Sequence, residues 1–74
     1  MASRQLTASE VRDRLRLAIA AFGPGTQRSW AAAHGVSHRS VNDVLQGRRL
    51  PPASLLVPLG LRAVRAAPAY EEVR

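Results

Sequence analysis

Cysteine and lysine are both absent from this chain of 74 residues, and only three side chains are aromatic. Without cysteine there is neither a disulfide framework nor a thiolate zinc site, the two usual supports of domains this short. Hydrophobic packing must therefore hold the fold, in a reducing cytoplasm or in an obligate oligomer. A chain of this length buries too little surface to line a deep substrate cavity as well as a core. We expect no enzyme, and so no catalytic residue and no cofactor.

Long apolar runs are also missing. The longest stretch without a charged side chain, residues 50–61, has 12 residues and includes three prolines, whereas a membrane-spanning helix needs about 20 apolar residues. Arginines and acidic residues occupy the amino-terminal region where a signal peptide has its apolar run. We therefore expect no membrane partner and a cytoplasmic protein, associated with the nucleoid or placed in the host cytoplasm if a phage encodes it.

Acidic side chains are scarce, with five against eleven arginines and a formal net charge of +6. The surplus lies in residues 26–65, where six arginines face one acidic residue, Asp43. Such a segment favours a polyanion, most often nucleic acid, because neutralised phosphates release condensed counterions. A merely soluble arginine-rich surface is the alternative. The exclusive use of arginine indicates mainly a GC-rich coding bias, but its planar fork grips phosphate or guanine through two hydrogen bonds, which lysine cannot do.

Capping residues and glycines predict four short helices. Thr7 and Glu10 have the spacing of a capping box, and the apolar stripe that follows ends at Gly23-Pro24-Gly25. Thr26 and Ser37 are N-cap candidates for the next two helices. The predicted ranges of the second, third and fourth helices are 27–34, 38–46 and 53–59. Trp30 is expected in the core.

Residues beyond 61 are open to three interpretations: a frayed tail, a fifth helix interrupted by Pro68, or extended arms that pair with another subunit. We favour arms, because Val64, Tyr70 and Val73 would otherwise be apolar side chains with no face to cover. These three residues are the predicted dimerisation contacts.

The central stretch has a specific pattern. Gln27 opens one helix, small Ala31 lies where two helices would touch, Gly35 supplies the turn, and Val36, Val41 and Val44 form an apolar set that locks the pair. Residues 27–47 thus resemble the helix-turn-helix of the phage repressor and Cro superfamily (XRE family). The resemblance implies an all-α, lambda-repressor-like domain of four short helices in residues 1–61, with a C-terminal extended arm in residues 62–74.

By the same resemblance, the second helix of the motif enters the major groove of double-stranded DNA, and a homodimer binds an inverted repeat as a small repressor of phage or prophage type. The implied base contacts are His38, Arg39, Asn42 and Asp43. The implied phosphate contacts are Gln27, Arg28, Ser40, Gln46, Arg48 and Arg49. Arg39 suits guanine and Asn42 suits adenine, whereas Asp43 could accept from cytosine or, as we expect first, orient Arg39 four residues earlier.

Two further functions remain open on the sequence: an antitoxin whose tail clamps a toxin, and an adaptor that uses the same fold to dock a protein. A zinc site is not expected. His34 and His38 have the spacing of a zinc-binding pair, but Gly35 breaks the helix between them and no third ligand is apparent.

Overall fold

The computed structural model describes residues 5–23, 25–64 and 69–73. Its elements, in chain order, are α1 (Ala8–Ala21), α2 (Gln27–Ala33), α3 (His38–Leu45), α4 (Ala53–Leu56), a 3-10 turn (Val57–Leu59), β1 (Leu61–Ala63) and β2 (Tyr70–Glu72). No helix in these ranges is long and apolar enough to cross a membrane.

Helix α1 begins at the predicted capping box. The Glu10 amide donates to the Thr7 hydroxyl and the Thr7 amide donates to the Glu10 carboxylate, both over 3.1 Å, so two of the unpaired donors of the first turn are satisfied. Leu6 before the cap and Val11 inside the helix are buried in one cluster, as a hydrophobic staple requires. The helix ends at Ala21, two residues before Gly23.

The predicted fourth helix is divided in two. Helix α4 ends at Leu56 and a 3-10 turn continues to Leu59. Pro58 is the cause, because proline has no amide hydrogen to donate and its ring crowds the preceding turn of an α-helix. The tighter turn accommodates proline near its start, and Gly60 then takes a left-handed conformation with φ 71°.

Two apolar clusters fill the interior. The larger one joins α1, α2, α3 and α4, and its buried members are Leu15, Ile19, Trp30, Ala31, Val36, Val41, Val44 and Leu55. The smaller one joins the amino end of α1, the end of α4 and the two strands, and its buried members are Leu6, Val11, Leu56, Leu61 and Tyr70. Trp30 is 2% exposed, which confirms its predicted place in the core.

The expectation of an all-α fold is wrong. Strands β1 and β2 form an antiparallel hairpin in which Arg62 pairs with Glu71, and Leu6 bridges to Tyr70 on the other side of β2. The two strands thus satisfy each other's backbone groups within the chain. Leu61 and Tyr70 lie on the inner face of the hairpin, where they pack with Leu6 and Val11 in the smaller cluster.

Candidate nucleic-acid interface

Helix α3 exposes one long side to solvent. Ser37 caps it through a 3.5 Å bond from the Ser40 amide, and the chain turns at Gly47, whose φ is 76°. Val41 and Val44 are fully buried against the larger cluster. Helical periodicity therefore turns His38, Arg39, Asn42, Asp43 and Gln46 away from the core. His38, Arg39 and Gln46 are exposed, and Asn42 and Asp43 are half-buried.

A short turn holds α3 against α2. Thr26 caps α2 by accepting from the Ser29 amide over 3.1 Å. Gly35 has φ 66°, and the Val36 amide donates to the Ala31 carbonyl over 2.9 Å. Ala31 is 1% exposed, so its small side chain lies where the two helices pack together. Ala31, Gly35 and Val36, which carry the resemblance in the sequence, thus set how α2 and α3 pack against each other.

Arg39 lies at the amino end of the exposed side of α3. Within the described part of the chain, its guanidinium has no hydrogen bond or ion pair. The expected contact with Asp43 is not formed, because the Asp43 carboxylate faces Arg48 at 3.9 Å. All five N–H donors of Arg39 are therefore available to a ligand.

Polar side chains at the end of α3 and in the turn after it form a connected set of hydrogen bonds and one ion pair. Gln46 donates from Nε2 to Oδ1 of Asn42 over 3.1 Å. Arg48 donates from Nη2 to Oε1 of Gln46, and its other terminal nitrogen faces Asp43. We call Asp43, Arg48, Gln46 and Asn42 the α3 relay. Arg48, expected on flanking phosphates, is therefore held on the surface of α3.

Arg49 has a different hydrogen-bond partner from Arg48. Its Nη1 donates to the Ser40 hydroxyl over 3.1 Å, which brings two of the predicted phosphate contacts together at the edge of α3. Arg28 is exposed at the start of α2, and the half-buried Gln27 lines an open groove of about 440 Å³ with Arg16 and Leu45.

Two arginines of α1, for which the sequence predicts no binding role, also reach this surface. Arg16 donates to the Leu45 carbonyl over 3.3 Å and pairs with Asp13 at 3.0 Å. The Arg12 guanidinium lies directly over Gly47. The contact between Arg16 and Leu45 spans 29 positions, and no local pattern signals a contact of that range.

The predicted dimerisation residues lie on two different faces of the hairpin. Tyr70 is 4% exposed and belongs to the smaller cluster, and this burial raises the pKa of its phenol by desolvation. The outer face carries Val64 and Val73 beside the ion pair of Arg62 with Glu71, which is 3.1 Å long. Val73 is 52% exposed and remains accessible to another molecule.

His34 and His38 occupy separate places, at the end of α2 and at the start of α3. The His34 ring packs at 4.6 Å from the Trp30 ring, between centroids. Residues 5–23, 25–64 and 69–73 contain no group of three or more side chains arranged to hold a metal ion.

Compared with protein-family models, with curated proteins and with solved structures, the chain matches none of them. The resemblance to the XRE family therefore rests on the sequence pattern of residues 27–47 alone.

Proposed function

We propose that this protein is a sequence-specific double-stranded DNA-binding regulator of transcription. The observation that carries the proposal is the free Arg39 guanidinium on the exposed side of α3. Two more exposed arginines, Arg48 and Arg49, follow the helix, and the one carboxylate of α3, that of Asp43, faces Arg48. Because Asp43 faces Arg48, it leaves Arg39 unneutralised. An unneutralised arginine on the exposed side of a helix can bind double-stranded DNA, which offers both phosphate charges and the hydrogen-bonding edges of the bases.

The dimensions of α3 agree with this role. An α-helix with its side chains is about 10 to 12 Å in diameter, and the major groove of B-form DNA is about 12 Å wide. Since only the side with Val41 and Val44 is buried, the opposite side can face base edges. Arg39 would grip guanine N7 and O6, and the exposed Arg28 and Arg49 would neutralise phosphates, which position a protein without specifying sequence.

The proposal includes a homodimer that acts in the cytoplasm on an inverted repeat and represses by occupying a promoter, in the simplest case that of its own operon. With two-fold symmetry, the half-sites lie about one helical turn, roughly 34 Å, apart. The exposed Val73 on the outer face of the hairpin supports a contact between two copies. The adaptor has no comparable observation in its favour, and the antitoxin would bind DNA through the same side of α3.

The test is repeated selection from a random-sequence DNA duplex library, followed by fluorescence anisotropy at several salt concentrations. The expected result is one enriched motif with two-fold symmetry, bound about 10³-fold or more tightly than a shuffled duplex of equal composition. Equal, salt-labile binding to every duplex would contradict the proposal and favour a protein partner.

Arg39→Ala supplies the decisive variant, and Arg14→Ala is its control. Both remove one positive charge, but Arg14 lies on α1 and pairs with Glu72 at 3.6 Å. Arg39→Ala should cost about 1 to 3 kcal/mol of binding free energy at one base position. Arg14→Ala should leave the selected motif unchanged.

A further inference from the structure

The α3 relay has a fixed direction. A guanidinium is a donor with no acceptor, so the amide of Gln46 must turn its oxygen toward Arg48. Its nitrogen then faces Asn42, which must accept through Oδ1, as the 3.1 Å bond shows. The Asp43 carboxylate lies 3.9 Å from the other terminal nitrogen of Arg48 and attracts it weakly to the same side. Two amide orientations on α3 thus depend on one arginine that lies outside the helix.

The consequence is a surface that offers mainly donors. The oxygens of Asn42 and Gln46 each already accept one bond within the chain, and Oδ1 of Asp43 faces Arg48, which leaves the second Asp43 oxygen as the main acceptor. The Asn42 amino group, the second Gln46 amino hydrogen and the Arg39 guanidinium remain for a ligand. Guanine presents two acceptors in the major groove, whereas cytosine presents a donor.

We propose that Arg48 is a positioning residue that determines base preference: by orienting Gln46 and Asn42 it makes α3 select acceptor-rich edges, so the bound strand is rich in guanine. This inference rests on the proposed function. It differs from the simple expectation that Asn42 reads adenine, because that pairing needs both its oxygen and its amino group turned to the base. The bond from Gln46 competes for the oxygen.

The experiment selects motifs from a random duplex library with three proteins: the wild type, Arg48→Ala and Arg49→Ala. Arg49 is the matched control, because it is the next residue, carries the same charge and donates to Ser40 instead of the relay. The wild type should enrich guanine at adjacent positions of each half-site. Arg48→Ala should keep the guanine read by Arg39 but lose roughly tenfold of the preference at the neighbouring positions, or shift them toward adenine. Thermal unfolding of each variant establishes that it is folded.

Arg49→Ala should retain the full motif, with an affinity lowered equally for all sequences and a shallower salt dependence. If Arg48→Ala instead retains the full motif and behaves like Arg49→Ala, Arg48 is a phosphate contact and the inference is overturned. A wild-type motif made of A·T pairs throughout would also overturn it, while leaving the proposed function intact. Failure of the wild type to enrich any sequence is the separate outcome that contradicts the proposed function.

Discussion

Leu6 and Tyr70 exchange two backbone hydrogen bonds. The Leu6 amide donates to the Tyr70 carbonyl over 2.6 Å, and the Tyr70 amide donates to the Leu6 carbonyl over 2.9 Å. Both side chains are buried in the smaller cluster with Val11. The segment that leads into α1 is thus joined to β2, and the hairpin is part of the packed domain.

The first prediction concerns the stability that this connection supplies. Tyr70→Ala should lower the free energy of unfolding by about 3 to 5 kcal/mol, the usual cost of emptying a buried aromatic site. Val57→Ala is the control, and it should stay within about 0.5 kcal/mol because the side chain is 73% exposed and lies outside the hairpin. Urea unfolding followed by Trp30 fluorescence measures both. Equal effects would show that the hairpin does not pack on the domain.

The second prediction concerns alkaline pH. Burial raises the pKa of Tyr70 above its ordinary value of about 10. The unfolded chain has the ordinary pKa and the folded chain has the raised one. At a pH between them the unfolded chain has released the phenolic proton and the folded chain retains it, so the free energy of unfolding falls as pH rises through this window. The chain has no lysine, no cysteine and no second tyrosine, so Tyr70 is the side chain that titrates there.

The measurement is urea unfolding at a series of pH values from neutral to alkaline, with tyrosinate absorbance as the record of ionisation. Tyr70→Phe is the matched variant and should show a nearly flat profile over the same window. A wild-type profile as flat as that of the variant would contradict the assignment.

The third prediction concerns the turn after α3. Gly47 has φ 76°, and a Cβ added there would meet Nη1 of Arg12 at 2.7 Å. Gly47→Ala should lose about 1 to 2 kcal/mol of stability, because an L-residue is strained in this conformation, and it should displace Arg12. Gly35→Ala, with φ 66° and open space around the new atom, isolates the backbone cost. Gly23→Ala, which meets nothing within 4 Å and lacks a positive φ, should change little.

The fourth prediction concerns self-association. If two copies meet through the outer face of the hairpin, Val73→Asp should convert the dimer to a monomer. Leu17→Asp is the matched control, since Leu17 is 70% exposed on α1 and Val73 is 52% exposed. Sedimentation equilibrium gives the mass of each variant. Deleting the hairpin is a poorer test, because removing Tyr70 would also open the smaller cluster.

Local chemistry made the first three helices predictable. The capping hydroxyls of Thr7, Thr26 and Ser37 all accept the amide bonds expected of them, because an N-cap contact joins residues two or three positions apart. Gly35 takes its positive φ for an equally local reason. The exposed side of α3 followed from helical periodicity once Val41 and Val44 were assigned to the core.

Contacts between distant residues were beyond such reasoning. The unpaired Val64, Tyr70 and Val73 indicated an extended tail, but not that Tyr70 would turn inward to Leu6. Arg48 was assigned to DNA, and the structure turns it back onto Gln46. Arg16 reaches Leu45 across 29 positions.

The sequence by itself determined where the helices begin and which side of α3 is exposed, since those properties depend on neighbours within one or two turns. The tertiary structure alone decided that the carboxyl-terminal segment forms a hairpin on the domain, and which side-chain donors remain free on α3. Both features depend on contacts between residues that are far apart in the sequence or meet across a turn. A side chain or backbone group exchanges its hydrogen bond with water for one within the protein only when the fold brings a partner within hydrogen-bond distance.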